Sequence, residues 1–388
     1  MDSLPQIRLK IERRSAHPWI YQKMVEKPSR KVPNGSVVDV VDRTGTWIGR
    51  GFWNGHSRIS LRILTTDPNQ AIDADFFRQR ITQAIALRRQ VLHLDAVTDA
   101  YRLVHSEGDH LSGLVVDRFG PVLVLEYFAA GMFRFREEIL NALREQFPVS
   151  HFYWFAEEHV QKQESFDCHE PQPPEPIVIT EHGLRFRVAP GAKHKTGFFL
   201  DQRDNRRRLA EFCEGRRVLD LCCNTGGFAI YAKALGKAEE VIGLDLDEEA
   251  LELARSNAHL NQARIRFVQS DLFPWLRDAI ANGQRFDVVV LDPSKQTRSR
   301  EEIGQALKRY LDMNRLALQV VAPGGVFLTC SCTGLVREED FLDVIRRAAW
   351  QAGRVVQVFH VSGAAGDHPW LLHVPESRYL KAVWCRVA

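Results

Sequence analysis

The sequence predicts an α/β protein whose last half is a doubly wound, mostly parallel sheet, preceded by a small β-barrel and a small α+β segment. Three observations carry this expectation. From about residue 215, short apolar runs alternate with helix-like stretches, the pattern of parallel strands joined by crossover helices. The first ~70 residues instead hold closely spaced strand-like runs separated by turn signals. At 388 residues the chain exceeds one ordinary hydrophobic core, so two or three domains are expected.

The barrel strands are read at Ser36–Val41, Thr46–Phe52 and Ile59–Leu64, with Asn34-Gly35 and Arg43-Thr44-Gly45 as turns. Residues 74 to 92 place Phe77, Ile81, Ala84 and Ile85 at the spacing of an amphipathic helix. Leu111–Asp117 and Val122–Phe128 read as a hairpin, and a helix near Arg134–Gln146 with a strand near Phe152–Phe155 completes a β-α-β unit. The proline-rich run 169–176 (HEPQPPEP) offers almost no core-forming side chains and reads as a linker. The expected boundaries are thus 1–72, 73–176 and 177–388.

In the last segment, strands are expected at Arg217–Leu221, Val241–Asp245, Ile265–Gln269, Val288–Leu291 and Val326–Cys330. A helix over Gly227–Leu235 is expected to close at Gly236. Asp247 is expected to cap the next helix, whose first turn holds Glu248 and Glu249.

Composition narrows the function classes. Apolar residues at 45% and charged residues at 26% describe a globular protein, and no apolar run approaches the ~18–20 residues of a membrane span. The N-terminal run MDSLPQIRLKIERR lacks the features of a signal peptide, so a cytoplasmic protein is expected. Seven cysteines at irregular spacing argue against a disulfide framework or a common zinc site and leave a cysteine nucleophile open; no metal is expected. Residues 1–35 carry eight Lys/Arg against three acids, which suits either phosphate attraction or an ordinary solvated basic face.

The chemistry is expected beyond the carboxyl ends of the strands, where strand order reverses. The first strand ends in Asp220-Leu221-Cys222-Cys223-Asn224-Thr225-Gly226-Gly227, whose paired glycines allow a tight turn and close approach of a ligand. Asp245, 25 residues after Asp220, can accept both hydroxyls of a ribose, and Asp271 can accept from an adenine amino group. A G-x-G-x-x-G fingerprint and a Gly-Lys-Ser/Thr P-loop are both absent, which disfavours dinucleotides and excludes a P-loop site. An adenosine cofactor without a pyrophosphate, S-adenosyl-L-methionine, suits what remains.

Asp292-Pro293-Ser294-Lys295 ends the fourth strand; its carboxylate can face the edge of a planar base, or the tetrad can be a simple β-turn. Thr329-Cys330-Ser331-Cys332-Thr333-Gly334 ends the fifth. A thiolate there can add to carbon 6 of cytosine and so make carbon 5 nucleophilic. Cys330, inside the strand, reads as a small core residue, whereas Cys332 lies just beyond it and is the better nucleophile.

These segments, with Lys195-Thr196-Gly197-Phe198-Phe199-Leu200-Asp201-Gln202-Arg203-Asp204-Asn205-Arg206, resemble the bacterial 23S rRNA 5-methylcytosine methyltransferases of the large-subunit methyltransferase I family. The resemblance runs the length of the chain, through Leu103–Asp109, Gly113–Arg118, Asp367-His368-Pro369 and Tyr379-Leu380-Lys381. It implies an N-terminal PUA-like RNA-binding barrel, a central α+β domain and a Rossmann-like class I methyltransferase domain. It further implies Cys332 as nucleophile, Asp292 at the N3/N4 edge of cytosine, and Lys295 and Arg203 at the RNA or base. Thr196, Phe198, Gln202, Asp220, Asn224, Thr225, Gly226, Gly227, Asp245 and Asp271 would surround S-adenosyl-L-methionine. The expected partner is 23S rRNA or a large-subunit precursor, with homodimer formation left open and no membrane. Ser294 departs from the family, which usually has proline there. Two other readings stay open: a guanine (N2 or N7) methyltransferase needing no nucleophile, and a non-catalytic RNA-binding assembly factor.

Overall fold

The computed structural model describes residues 4–191 and 195–388. They fall into two compact units. One comprises Met1–Ile179, Val188–Leu200 and Gly366–Ser377; the other comprises Thr180–Arg187, Asp201–Ala365 and Arg378–Ala388.

The first unit opens with β1 (Gln6–Arg8), β2 (Trp19–Tyr21), β3 (Val37–Val41), β4 (Trp47–Trp53) and β5 (Ile59–Thr65). They form one sheet in the order β1-β3-β4-β5-β2 around Ile7, Leu9, Ile20, Val38, Val40 and Leu61. β3, β4 and β5 match the sequence reading. β1 and β2 escaped it because three-residue strands present one inward side chain each, too few for a period-2 signal.

Asp73 caps α1 (Ala74–Ala86) by accepting from the Phe76 amide at 3.0 Å, and Phe77, Ile81, Ala84 and Ile85 are buried as their spacing predicts. A π-helical turn over Leu87–Val91 prolongs α1. Next come β6 (Ala100–His105), β7 (Leu114–Phe119), β8 (Val122–Tyr127), α2 (Ala130–Arg134), α3 (Arg136–Gln146), β9 (His151–Phe155) and α4 (Glu158–Glu164). The sheet runs β6-β7-β8-β9, with β8 and β9 parallel across the α3 crossover. The proline-rich run is tethered to β9. Trp154 Nε1 donates to the His169 carbonyl at 2.9 Å, and the Tyr153 hydroxyl donates to Glu170 at 2.8 Å.

The second unit begins in a ribbon of β10 (Ile177–Glu181) and β11 (Leu184–Val188), which contributes Thr180–Arg187, and continues into α5 (Arg203–Ala210). Its sheet is then laid down by β12 (Arg217–Leu221), α6 (Gly227–Ile230), β13 (Glu240–Asp245), α7 (Glu248–Leu260) and β14 (Arg266–Gln269). It is completed by α8 (Leu272–Ala281), β15 (Phe286–Leu291), α9 (Ile303–Val320), β16 (Val321–Ser331), α10 (Glu338–Gln351), β17 (Val356–Ser362) and β18 (Lys381–Val387). The order is β14-β13-β12-β15-β16-β18-β17. The first five strands are mutually parallel, and β18 inserts antiparallel between β16 and β17.

This is the doubly wound, Rossmann-like α/β class that the alternating pattern predicts. β12 has β13 on one side and β15 on the other, so strand order reverses beside it. Asp247 caps α7 as expected, accepting from the Ala250 amide at 3.2 Å. The close at Gly236 has a different cause from the one expected. Gly236 is right-handed (φ −81), and Lys237 takes the left-handed turn (φ 54). Gly236 is needed for space: a Cβ there would meet the Ala210 and Ala232 carbonyls and Cys213 Cβ, each at 2.8 Å.

Candidate functional site

The carboxyl ends of β12, β13, β15 and β16 share one edge of the sheet. The loop after β12 is wound through three left-handed residues, Cys222 (φ 61), Asn224 (φ 47) and Gly226 (φ 80). Non-glycine residues in this region are strained by roughly 1–3 kcal/mol, which the surroundings must offset. Here the Asn224 amide donates to Asp245 Oδ2 at 2.7 Å and the Cys223 amide to the Leu244 carbonyl at 2.9 Å. Both glycines serve packing. A Cβ on Gly226 would press Ala254 and Phe267 at 3.2 Å, and one on Gly227 would press Arg206 Cδ at 3.0 Å.

Three acids stand where the sequence puts them. Asp245, at the end of β13, is half-buried, with Oδ1 accepting from the Asp247 amide at 3.0 Å. Asp271 is exposed and caps α8, accepting from the Phe273 amide at 2.7 Å. Asp220 is buried in β12. Its Oδ2 accepts from the Ala229 amide at 2.9 Å, while Oδ1 has no hydrogen-bond partner among the described residues. Burial raises the Asp220 pKa well above the carboxylate range; the Ala229 amide opposes this, and the Asp292 and Asp245 charges add to it. A buried acceptor without a donor is costly and seldom left so. It marks a place where a ligand can supply a donor, and an adenosyl cofactor fits this donor-poor, acid-lined edge.

Asp292, at the end of β15, is half-buried and accepts on Oδ2 from Gln202 Nε2 at 3.0 Å. Cys332, just past β16, is half-buried, with Sγ 3.9 Å from the Pro293 carbonyl. The nucleophile candidate therefore lies against the loop that carries the carboxylate, because β15 and β16 are parallel neighbours. None of the seven cysteines forms a disulfide. Cys330 is fully buried, and burial pushes its thiol well up, as befits a core residue.

Thr333 joins the two loops. Its Oγ1 accepts from the Gln296 amide at 3.0 Å, beyond the Asp292 tetrad, and lies 2.8 Å from the Tyr310 hydroxyl. Ser331 donates to that hydroxyl at 3.0 Å. Tyr310 and Thr333 carry no sequence signal by themselves; only α9 packing under β16 brings them together. Behind the site, Glu181 pairs with Arg206 through contacts of 2.7 to 3.0 Å and accepts from the Tyr231 hydroxyl at 2.9 Å, all buried.

The remaining predicted residues divide. Gln202 joins the site through Asp292. Ser294 and Lys295 are exposed on the Asp292 loop. Arg203 is 1% exposed in α5 with Nε 3.2 Å from Asp204. A guanidinium buried to that extent is scaffold, which corrects the expectation of an RNA contact. Thr196 and Phe198 belong to the first unit, where the Thr196 hydroxyl donates to Asp117 at 2.6 Å and Phe198 is buried. Among the described residues, no cluster of His, Cys, Asp or Glu could hold a metal ion, and no helix is long and apolar enough to cross a membrane.

Known proteins agree with this architecture. The S-adenosylmethionine-dependent methyltransferase family profile matches residues 155–361, and a PUA-like domain profile matches residues 11–66. The ribosomal RNA large subunit methyltransferase I of Aeromonas hydrophila is 39% identical over 379 residues, covering 95% of both chains. That of Escherichia coli O9:H4 is 37% identical over 379 residues, covering 96% of this chain and 95% of its own. The crystal structure of SMU.776, assigned as a methyltransferase and solved with SAH, aligns at TM-score 0.82 and 19% identity. That alignment spans 99% of this chain and all of the other, and shows the fold. With these relatives spanning nearly the whole chain, it belongs to the S-adenosylmethionine-dependent ribosomal RNA large subunit methyltransferase I family.

Proposed function

We propose that this enzyme forms 5-methylcytosine in 23S rRNA, as free RNA or in a large-subunit precursor, through a covalent adduct of Cys332 with carbon 6. The observation that carries the reading is the 3.9 Å approach of Cys332 Sγ to the Pro293 carbonyl, which brings the sulfur to the Asp292 loop. Carbon 5 of cytosine is a poor nucleophile, and methylating it calls for both groups. The Cys332 thiolate adds to carbon 6, and the C5=C6 electron pair moves to carbon 5. Asp292, aimed by Gln202, holds the N3/N4 edge of the base. S-adenosyl-L-methionine, when bound, supplies an electrophilic methyl group. The pair on carbon 5 would form the bond from carbon 5 to the methyl group as the methyl–sulfur bond of the cofactor breaks. The carbon 5 proton then passes to solvent, and the C5–H electron pair reforms C5=C6 as the Cys332 thiolate leaves.

Asp220, Asn224, Thr225, Gly226, Gly227, Asp245 and Asp271 are the residues proposed to hold the cofactor, Asp220 by its unpartnered oxygen. Lys295, exposed beside Ser294, is proposed to meet the RNA. The basic N-terminal barrel, a PUA-like fold over residues 1–72, would supply phosphate contacts, and the target base would leave its stack to reach the pocket.

The test is incubation of wild-type enzyme and Cys332→Ala with S-adenosylmethionine and unmodified 23S rRNA, followed by nucleoside mass spectrometry. New 5-methylcytidine in the wild type alone supports the reading. A methylated guanine that survives the substitution replaces it.

A further inference from the structure

A buried lysine sits behind Cys332. In the antiparallel pair of β16 and β18, Lys381 lies opposite Ser331, one residue before the cysteine. The lysine is 3% exposed. Its Nζ donates to the Thr333 carbonyl at 2.8 Å and to the Tyr379 carbonyl at 2.9 Å. Among the described residues it forms no ion pair with a carboxylate. An ammonium taken out of water without a counter-charge is expensive, and a merely structural position would be filled at lower cost by an apolar side chain. Register and hydrogen bonding put it at Cys332: Lys381 lies opposite Ser331, and the carbonyl it holds belongs to Thr333, so its two contacts bracket the cysteine.

We propose that Lys381 is the positioning residue of Cys332, its ammonium fixing the loop through the Thr333 and Tyr379 carbonyls and supplying the counter-charge that keeps the sulfur a thiolate. The sulfur's proton passes to solvent when the pair forms. This deepens the Cys332 reading and rests on it for its role in catalysis, though not for the charge relationship itself.

The other groups bearing on this corner are few. Asp292 comes from the end of β15, the Tyr310 hydroxyl from α9 and Cys330 from β16. Glu338 and Arg378, which pair with each other at 2.6 Å, come from α10 and the run into β18. The Asp292 charge opposes a thiolate, and the Glu338–Arg378 pair largely cancels itself. Lys381 is the buried cation of this corner. Burial lowers its pKa to about 8, with Cys332 acting in the opposite direction. An ammonium poised near neutrality responds to the charge of its neighbour. Once the sulfur is bonded to carbon 6 it is neutral, and the ammonium then favours return of the thiolate as leaving group.

The test reads the sulfur directly. Full-length wild type, Lys381→Gln and Lys381→Arg are alkylated with iodoacetamide across pH 5 to 10, and fragment ions separate Cys332 from Cys330. Both variants keep a donor for the two carbonyls, and Lys381→Gln alone removes the charge. The wild-type profile should have its midpoint below the ordinary thiol value of about 8.5. Lys381→Gln should move it up by about one unit or more, roughly tenfold slower alkylation at pH 7, and Lys381→Arg should hold it. A Lys381→Gln profile that superimposes on the wild type, or a Lys381→Arg profile that shifts with it, overturns the proposal. Because no RNA is involved, alkylation profiles that behave as expected together with no 5-methylcytidine from the wild-type enzyme would count against the cytosine reading alone.

Discussion

Gln202 donates from Nε2 to Oδ2 of Asp292 at 3.0 Å, and its own Oε1 accepts from Asn205 Nδ2 at 2.6 Å. Asn205 in turn accepts from Ser362, whose hydroxyl takes the Trp384 indole N–H at 2.8 Å. The carboxylate proposed to hold the base is thus aimed by a chain of side chains running back to β17 and β18. The sequence reading put Gln202 at the cofactor; its contact is with the acid.

That contact makes the two roles separable. Removing a hydrogen bond to a charged group costs about 1.5–3 kcal/mol, roughly 10- to 150-fold in rate. Gln202→Leu should lower kcat/KM for methyl transfer within that range while the Kd for S-adenosylhomocysteine, measured calorimetrically, changes less than about twofold. A Kd that rises in step with the lost activity would return Gln202 to the cofactor.

Thr333 holds the Asp292 and Cys332 loops in register by receiving the Gln296 amide and meeting the Tyr310 hydroxyl. Thr333→Val keeps the shape and leaves the Gln296 amide and the Tyr310 hydroxyl without this partner, at about 1–3 kcal/mol. Single-turnover methyl transfer should slow by roughly tenfold or more, with the methylated nucleoside unchanged and cofactor affinity preserved. Thr333→Ser should recover most of the rate. Failure of serine to rescue would place the defect in packing.

The Glu181–Arg206 pair is a buried contact whose loss leaves an uncompensated charge. Glu181→Gln should destabilise the protein by about 3–5 kcal/mol in urea unfolding. Glu181→Leu with Arg206→Met should cost less than the sum of the two single changes, since each removes the other's stranded charge. Additive losses would mean that the pair is not coupled.

How much of this was legible in the sequence follows from the range of the interactions. Apolar runs mark β12, β13, β15 and β16 because those strands are buried on both faces, and Asp220, Asp245 and Asp292 stand out as acids within or just past those runs. Cys332 was separable from Cys330 by one fact, that it lies past the strand. Lys381, Tyr310 and Arg206 were not legible as site residues. Their roles come from contacts spanning 48, 23 and 25 positions, set by strand insertion and helix packing that local periodicity does not encode. Arg203 failed for the complementary reason: a basic residue in a distinctive motif reads as a phosphate ligand until its burial is known.

Asp220 gives a prediction about pH. Its carboxyl is buried with one oxygen unpartnered, and its pKa is held well above the ordinary carboxylate range. The unfolded chain loses this proton near pH 3.9, whereas the folded chain keeps it to higher pH. Above the unfolded value the native state therefore binds more protons, and stability contributed by this group falls as pH rises through the folded pKa. Asp220→Asn is nearly isosteric, retains an acceptor oxygen and cannot ionise. The unfolding free energy of wild type minus that of the variant, from urea titrations at pH 5, 6.5 and 8, should grow more negative with rising pH until the folded carboxyl has ionised. A flat difference would show that the carboxyl titrates alike in both states. A cofactor donor aimed at Oδ1 favours the charged form, so saturating S-adenosylhomocysteine should shrink the pH-dependent difference. If it leaves the difference unchanged, Asp220 shapes the loop without touching the cofactor.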